Sequence, residues 1–175
     1  VLHTPDANTV TVAEHTVALI GAITKHLLFL DGETRNGKFK TARRLYLPID
    51  LDGKTLGIIG YGRIGKQVAK KCMGAFNMKV LIYDPYIDDS VVAPGVVRCS
   101  DETQVYKEAD VVTVHVPMTS ETRNHIGEKL LSLMKPSAYI INTARGNIID
   151  EQYVSKMLDE NRLAGAAFDV LANEP

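Results

Sequence analysis

Apolar residues occur along this chain in two kinds of pattern. Short continuous runs are typical of strands buried on both faces, and longer stretches with apolar residues every three or four positions are typical of helices with one buried face. The runs predict strands at 56–59, 80–83, 111–116, 139–142 and 164–170, and a weaker element at 96–97. Because helical stretches separate several of these strands, the pattern predicts an α/β fold with a doubly wound parallel sheet.

The first helical stretch is predicted to begin at Thr11 and to end at Asp31-Gly32. Thr11-Val12-Ala13-Glu14 has the pattern of a capping box, in which the carboxylate of Glu14 hydrogen-bonds an N–H group of its own helix. Glu14 and His15 could be catalytic, but the structural interpretation of Glu14 is favoured. The buried face of this helix is expected to comprise Ala13, Val17, Ile20, Ile23, Leu27 and Leu28.

Two further helices follow from the pattern. One runs from Arg63 to about Met73, and the other follows Asp150, whose carboxylate can cap it. Asn77 is expected in the left-handed conformation before the second strand. Residues 32–54 show no clear period and are predicted to form a connection that turns at Asp52-Gly53, and 101–107 form a short polar stretch.

Composition restricts the class of protein. The chain has 175 residues, of which 45% are hydrophobic, enough for one good core. Its net charge of −1 provides no field that would recruit nucleic acid or a membrane, so neither is expected as a partner. Cys72 and Cys99 lack the close spacing of a zinc or redox motif, so we expect no metal site and a cytoplasmic location. No apolar run is long enough for a membrane span, and no basic stretch followed by an apolar one opens the sequence, so we expect neither a membrane span nor a signal peptide.

A cluster of basic residues within 32–54 allows two interpretations. It could contact nucleic acid. However, Phe39 and Tyr46 are the only aromatic residues interleaved with the cluster in the sequence, and the chain as a whole is not basic. A solvated connection or a subunit contact is therefore favoured. The cluster consists of Arg35, Lys38, Lys40, Arg43 and Arg44.

The first predicted strand leads directly into the glycine motif Gly60-Tyr61-Gly62-Arg63-Ile64-Gly65. In a Rossmann-type sheet the first glycine permits a tight turn, the second lets the backbone approach a pyrophosphate, and the third lets the helix pack on the strand. The helix N-terminus then faces the phosphates with N–H groups that lack partners in the helix and with the positive end of its dipole. An ordinary glycine-rich loop is the alternative.

Asp84 favours the dinucleotide interpretation. It ends the second strand nineteen residues after Gly65, near the interval at which a carboxylate meets the adenosine ribose. Its charge would accept hydrogen bonds from a free 2′-hydroxyl and would repel a 2′-phosphate. Because no Arg or Lys follows in Pro85-Tyr86-Ile87, we predict NAD rather than NADP as the cofactor.

Ligands of open α/β sheets bind beyond the carboxyl ends of the strands, and three further residues with reactive or charged side chains lie at such ends. Arg145 is well placed to hold a carboxylate with two hydrogen bonds, with a structural salt bridge as the alternative. Asp169 could accept a hydrogen bond from the carboxamide of a nicotinamide, or it could cap a helix. His115 could be an acid or a base, although a histidine among valines is more often a hydrogen-bonded packing residue. For His3, His26 and His125 the sequence alone indicates no particular partner.

Four motifs in this order resemble those of the D-isomer-specific 2-hydroxyacid dehydrogenase family. The resemblance begins at the helix carrying Val12-Ala13-Glu14-His15 and covers nearly the whole chain. The motifs are the glycine motif with Tyr83-Asp84-Pro85, then His115-Val116-Pro117 with Thr119 and Thr122, then Asn142-Thr143-Ala144-Arg145-Gly146, and then 165–170 with Glu174-Pro175.

The resemblance implies roles for individual residues. Arg145 matches the family's catalytic arginine, which holds the 2-oxoacid carboxylate and polarises its carbonyl. Glu174 matches the catalytic glutamate, which raises the pKa of a histidine so that it can protonate the substrate oxygen. In the family that histidine follows the Glu-Pro pair, and this sequence ends at Pro175. The implied cofactor-binding positions are Gly60, Tyr61, Gly62, Arg63, Ile64, Gly65, Asp84, His115, Val116, Pro117, Thr122, Thr143, Ala144, Arg145 and Asp169.

The resemblance also implies an organisation and an activity. Residues 1–10 are expected to be a hinge segment from a substrate-binding domain, 11–175 the NAD-binding Rossmann domain, and the protein a homodimer. The activity implied is hydride transfer between NAD(H) and a D-2-hydroxyacid/2-oxoacid pair. The alternative is an NAD(H)-sensing, corepressor-like binding protein of the same superfamily; Arg145 and Glu174 favour the enzyme. The particular 2-hydroxyacid would be selected mainly by the substrate-binding domain.

Overall fold

A computed structural model describes residues 8–45 and 47–174, and these form a parallel sheet with helices on both faces. The sheet has six strands in the order β3-β2-β1-β4-β5-β6. The predicted doubly wound sheet is therefore confirmed. The strands are β1 (Thr55–Ile59), β2 (Lys79–Tyr83), β3 (Val96–Arg98), β4 (Val111–Val114), β5 (Tyr139–Asn142) and β6 (Gly165–Phe168).

Five of the described helices pack in two layers, one against each face of the sheet. Apolar side chains of α1 and α4 form one core with Leu56 and Ile58, and those of α5, α6 and α7 form the other with Val112 and Ile140. Both faces of the central strands β1, β2, β4 and β5 are therefore mostly buried, which explains their continuous apolar runs. The helices are α1 (Thr9–Thr24), α2 (Leu27–Arg35), α3 (Phe39–Leu45), α4 (Arg63–Phe76), α5 (Glu102–Glu108), α6 (Glu128–Leu131) and α7 (Glu151–Asp159), with single 3₁₀ turns at Asp89–Val91 and Gly146–Ile148.

The register of the sheet aligns the carboxyl ends of five strands. Ile59 pairs with Tyr83 on one side and with Val114 on the other, and the row continues through Asn142 to Phe168. The residues that follow these positions therefore emerge along one edge of the sheet. They are Gly60, Asp84, His115, Thr143 and Asp169.

The start of the first helix differs from the prediction. Helix α1 begins at Thr9 after Asn8, and no side chain caps it, so the predicted capping box at Thr11 is wrong. Glu14 accepts instead from Lys71 Nζ of α4 at 3.1 Å. Glu14 is still a structural residue, but it ties two helices together rather than capping its own.

The end of the first helix also differs. Helix α1 ends at Thr24, His26 adopts a left-handed conformation with φ of 52°, and α2 then passes straight through the predicted stop at Asp31-Gly32. The break turns Leu27 and Leu28 away from the core, and their side chains are 55% and 85% exposed. The apolar spacing continues across the break, which is why the sequence indicated one helix.

Three other segments are more helical than predicted. Helix α3 lies within the stretch predicted to be an irregular connection, and its basic side chains Lys40, Arg43 and Arg44 are exposed. The polar stretch at 101–107 is mostly helix α5, capped by the Asp101 carboxylate, which accepts from Thr103 N at 3.0 Å. The short helix α6 was not predicted. Such short helices contain too few apolar residues to show the spacing of three or four positions that indicates a helix.

Several local predictions are confirmed. Asn77 has φ of 50° and ends α4, which extends to Phe76. The Asp150 carboxylate accepts from Tyr153 N at 3.0 Å and caps α7. Strand β4 ends at Val114, two residues before the predicted end, and β6 is shorter than predicted at both ends. Among the described residues, the helices are too short or too polar to cross a membrane.

Candidate functional site

The glycine motif forms a tight junction between β1 and α4. Gly60 has φ of +91°, and a Cβ there would lie 2.8 Å from the His115 carbonyl oxygen. A Cβ on Gly65 would collide with the carbonyl oxygen of Gly60. Both positions therefore require glycine for the backbone to turn and for the helix to pack on the strand.

Gly62 has a different environment from the other two glycines. It is the N-cap of α4 and makes no side-chain cap, so the first N–H groups of the helix are not covered by a capping side chain. A Cβ on Gly62 would meet nothing within 4 Å, because the residue faces an open cleft. The positive end of the helix dipole and the backbone N–H groups are therefore open to an anion in that cleft. Arg63 and Ile64 form the first turn of the same helix.

The Asp84 carboxylate is fixed at the end of β2 by two backbone donors. Its Oδ2 accepts from Tyr61 N at 2.9 Å and its Oδ1 accepts from Tyr86 N at 3.0 Å. Each oxygen keeps a further lone pair for a ligand hydroxyl. The Tyr61 side chain is 1% exposed and packs in the core, so Tyr61 shapes the turn through its backbone.

A cleft of about 500 Å³ opens beyond the carboxyl ends of β1, β2 and β4; we call it the main cleft. Seven of the predicted cofactor-binding residues line it, namely Gly60, Gly62, Asp84, His115, Val116, Pro117 and Thr122. The other lining residues are Ile59, Tyr83, Pro85, Tyr86, Glu102, Thr119, Ser120, Glu121, His125, Ile126 and Ile148.

The far wall of the main cleft is an ordered turn after Pro117. Thr122 Oγ1 donates to the Pro117 carbonyl at 2.6 Å and accepts from Thr119 N at 2.8 Å. Next to this turn, the Tyr86 hydroxyl donates to the Glu121 carboxylate, which joins the two walls of the cleft. This contact raises the pKa of Tyr86.

His125 has a partner that the sequence did not predict. Its Nε2 lies 2.8 Å from Oε2 of Glu102, and both side chains line the main cleft. The two residues are 23 positions apart and meet only because α5 packs beside the loop that carries His125.

His115 is neutral at pH 7. Burial lowers its pKa from 6.5 to about 4, and its Nε2 lies 3.0 Å from Thr113 Oγ1. A histidine with so low a pKa is a poor proton donor near neutral pH. The structure supports the interpretation of His115 as a hydrogen-bonded packing residue on the wall of the cleft.

A second group of predicted residues lies at the ends of β5 and β6. Buried Asn142 organises the turn after β5: its side-chain amide donates to Arg145 O and its oxygen accepts from Ala144 N, both at 3.0 Å. Thr143 Oγ1 lies 3.0 Å from Thr16 Oγ1 of α1. These contacts fix the backbone on both sides of Ala144 and present Arg145 at the surface.

The Arg145 side chain is exposed, and its Nη1 donates to the Ala144 carbonyl at 2.7 Å. Within the described residues no carboxylate pairs with it, so the alternative of a structural salt bridge gains no support there. Its guanidinium retains donors that can hold a carboxylate with two hydrogen bonds.

Asp169 and Glu174 follow β6. Asp169 Oδ1 lies 3.1 Å from Nε2 of His15 on α1. Glu174 Oε1 accepts from Leu171 N at 3.2 Å. Gly146 packs so closely on the backbone of Leu171 and Ala172 that a Cβ would collide with it, which brings the turn with Arg145 against the segment that carries Glu174.

The structure therefore separates the predicted residues into two neighbouring sets. One set lines the main cleft, and the other (Thr143, Ala144, Arg145, Asp169 and Glu174) lies at the ends of β5 and β6. Arg63, Ile64 and Gly65 belong to the first turn of α4 beside the cleft. No group of three metal-ligating side chains is found within 8–45 and 47–174.

Comparison with known proteins identifies the family. Residues 17–175 match the sequence model described as "D-isomer specific 2-hydroxyacid dehydrogenase, NAD binding domain". The chain belongs to this family. The resemblance inferred from its motifs is therefore confirmed.

Similar proteins differ in their substrates and in their cofactors. This dehydrogenase-family domain is 41% identical to a D-3-phosphoglycerate dehydrogenase of Methanocaldococcus jannaschii, over 100% of this chain and 33% of that protein. It superposes with a TM-score of 0.89, at 37% identity, on a D-lactate dehydrogenase from Aquifex aeolicus complexed with NAD and lactic acid, over 98% of this chain and 50% of the other. It also superposes on an acyclic imino acid reductase in complex with NADPH and D-Arg, with a TM-score of 0.86 and 37% identity. This match covers 95% of this chain and 52% of the other. The domain thus spans between a third and about half of the length of these proteins.

Proposed function

We propose that the domain binds NAD(H) in the main cleft and orients it for hydride transfer to a 2-oxoacid. The observation that carries this proposal is the placement of Gly62 and Asp84. The first offers an open helix N-terminus, and the second offers a carboxylate fixed by two backbone donors at the end of the adjacent strand. A negatively charged pyrophosphate and a ribose diol together need these two features.

Each part of the cofactor has matching residues. The space around Gly62 that a Cβ would occupy fits a phosphate, and the free lone pairs of Asp84 fit the ribose hydroxyls. The apolar walls at Val116, Pro117 and Ile126 fit the flat faces of an adenine. The nicotinamide end would reach the ends of β5 and β6, where Asp169 can accept from a carboxamide N–H.

Three residues of this chain have distinct roles in the proposed reaction. Bound NADH supplies the hydride. Arg145 holds the carboxylate of the 2-oxoacid and draws electron density toward its carbonyl oxygen. Asn142 keeps the turn under Arg145 in place. Glu174 is proposed to raise the pKa of the family's histidine, which lies in the part of the protein after the Glu-Pro pair and protonates the same oxygen.

Asp84 is the basis for proposing NAD rather than NADP. Its carboxylate would repel a 2′-phosphate and accept from a 2′-hydroxyl. The fold alone does not decide this choice, because one neighbour was solved with NAD and another with NADPH.

The enzyme is favoured over the corepressor-like sensor. The relatives named above are dehydrogenases and a reductase, and they give no support to the sensor. The substrate class proposed is a 2-oxoacid or D-2-hydroxyacid. The identity of the acid would be set by the substrate-binding domain. We propose that the hinge to that domain lies within the predicted segment 1–10 and before α1, since Thr9 and Val10 belong to α1; residues 1–7 lie outside the described part. Buried free thiols at Cys72 and Cys99 agree with a proposed cytoplasmic location.

We propose a homodimer that uses the surface of α2 and α3. These helices pack on each other, and the apolar side chains of Leu27, Leu28, Phe39 and, just after α3, Leu47 are between 48% and 85% exposed. Light scattering should give a dimer for the wild-type chain and a monomer for Leu28→Glu. Val91→Glu, on an exposed residue of the 3₁₀ turn, is the control and should remain dimeric. A dimer that persists in Leu28→Glu would contradict the proposed surface.

Calorimetric titration of the 175-residue chain tests the cofactor. NADH is expected to bind with one site per chain, and NADPH at least about tenfold more weakly because of the charge on Asp84. The same chain should not turn over 2-oxoacids. No heat with either dinucleotide would overturn the proposed function, and equal affinities would overturn the proposed cofactor choice.

A further inference from the structure

A second cavity, of about 450 Å³, shares the segment 83–85 with the main cleft and lies toward the β3 edge of the sheet. We call it the side cavity. Its remaining lining residues are Asp89, Arg98, Cys99 and Ser100. The proposed role of Asp84 in binding the ribose places the 2′ position of that ribose next to this cavity.

Arg98 is the cation of the side cavity. As the last residue of β3, it reaches back toward β2, and its Nη2 donates to the Asp84 carbonyl oxygen at 3.3 Å. Its Nη1 donates to Asp89 Oδ1 at 2.8 Å. A positive charge thus lies beside the residue proposed to bind the ribose, although no basic residue follows Asp84 directly in the sequence.

The partner of Arg98 is weakly held. The Asp89 side chain is 87% exposed, whereas that of Arg98 is 29% exposed. An ion pair with one partner so exposed contributes little and is readily exchanged for another anion. The guanidinium has five N–H donors in a planar fork that fits a phosphate, and two of them make the contacts just described. Ser100 lines the same cavity, and its hydroxyl is a further potential donor.

We propose that the side cavity is a latent site for a 2′-phosphate on the adenosine ribose, with Arg98 as the phosphate-binding residue. Two carboxylates keep this site closed to NADP. Asp84 repels the phosphate directly, and Asp89 occupies the guanidinium that would neutralise it. Cofactor choice is therefore set by Asp84 and Asp89 acting together on one cation. This inference rests on the proposed binding of NAD in the main cleft.

The test measures the ratio of NADPH to NADH dissociation constants in variants of the 175-residue chain. Asp89→Asn alone should lower the ratio by about two- to fivefold. This factor corresponds to the free energy of a surface ion pair, which no longer competes with the phosphate for Arg98. Asp84→Asn/Asp89→Asn should lower the ratio by about tenfold or more, because a charge-assisted phosphate contact becomes available. Adding Arg98→Gln to Asp89→Asn should return the ratio close to the wild-type value. Adding it to Asp84→Asn/Asp89→Asn should raise the ratio by the part of the decrease that the Arg98 contact provides, while the part due to the lost charge of Asp84 remains. Arg98→Gln alone should change the ratio little.

The outcomes distinguish this inference from the proposed function. If wild-type chain fails to bind NADH, the proposed function is wrong. If NADH binds but the ratio in Asp84→Asn/Asp89→Asn is the same with and without Arg98→Gln, the latent site is wrong. Because Asp84 also holds two backbone N–H groups, its variant could lose stability. The pair Asp89→Asn and Asp89→Asn/Arg98→Gln keeps Asp84 intact and tests the same point: a ratio unaffected by Arg98→Gln overturns the inference.

Discussion

Replacing Gly62 by alanine should separate cofactor binding from folding. The backbone of Gly62 has φ of −75° and ψ of −161°, which alanine can adopt, and its Cβ would touch nothing within 4 Å. An N-cap change from glycine to alanine costs about 0.5–1 kcal/mol, and the smaller entropy of the unfolded chain offsets about 0.4–1 kcal/mol. The free energy of unfolding should therefore change by less than about 1 kcal/mol, or about 2–4 °C in Tm.

Binding should respond quite differently. The new methyl group would project into the space where the proposed pyrophosphate meets the N-terminus of α4. Loss of one charge-assisted hydrogen bond costs about 1.5–3 kcal/mol, so NADH should bind about 10- to 100-fold more weakly. Thermal unfolding and calorimetric titration of the same samples measure both effects.

Two other glycines provide matched controls. Gly74→Ala lies on the same helix, roughly 18 Å along its axis from Gly62, and its Cβ also meets nothing within 4 Å. It should leave binding nearly unchanged and should raise the free energy of unfolding by up to about 1 kcal/mol, because alanine replaces a glycine inside the helix. Gly65→Ala, whose Cβ collides with the Gly60 carbonyl, should lower stability strongly. NADH affinity of Gly62→Ala within threefold of wild type would refute the proposed phosphate position.

Three further predictions concern other parts of the site. In a dehydrogenase that joins this domain to its substrate-binding domain, Arg145→Gln should lower kcat/KM for the 2-oxoacid by about a hundredfold or more while the Kd for NADH stays within about twofold; preserved activity would remove the proposed role. Burial lowers the pKa of His115 from 6.5 to about 4, so the unfolded state binds more protons between these values and stability should fall by about 3 kcal/mol as the pH is lowered from 6.5 to 4. The free energy of unfolding of His115→Gln, measured in urea, should lack this part of the pH dependence. If the free energies of both proteins change with pH in the same way, the pH dependence does not come from His115. Asn142→Ala removes two hydrogen bonds under Arg145 and should destabilise by about 1–3 kcal/mol in urea unfolding, whereas a change below about 0.5 kcal/mol would show that the turn does not depend on that side chain.

The sheet and the glycine turn could be predicted because local patterns encode them. Strands buried on both faces give continuous apolar runs, and residues that follow parallel strands must emerge at one edge. The sequence alone therefore suffices to place Gly60, Asp84 and His115 together. The register of the strands then puts them in one row.

The first helix shows where such patterns fail. The left-handed residue His26 breaks the helix, yet the apolar spacing continues through it, so exposed Leu28 was assigned to the buried face. Nothing local distinguishes an apolar residue that faces the core from one that faces another surface. The contacts that decide this lie elsewhere in the fold.

Partners that are distant in sequence were also missed. His15 meets Asp169 across 154 positions, and Arg98 meets the Asp84 carbonyl across the β2–β3 edge. The residues that directly follow Asp84 include no Arg or Lys, and they gave no sign of a nearby cation. The cation instead comes from the neighbouring strand, which only the sheet order reveals.

A crystal structure of the 175-residue chain with NADH tests the central claim most directly. The account predicts the pyrophosphate at the N-terminus of α4 beside Gly62 and both adenosine ribose hydroxyls within hydrogen-bonding distance of the Asp84 carboxylate. A dinucleotide bound elsewhere on the domain, or one whose ribose does not contact Asp84, would contradict it.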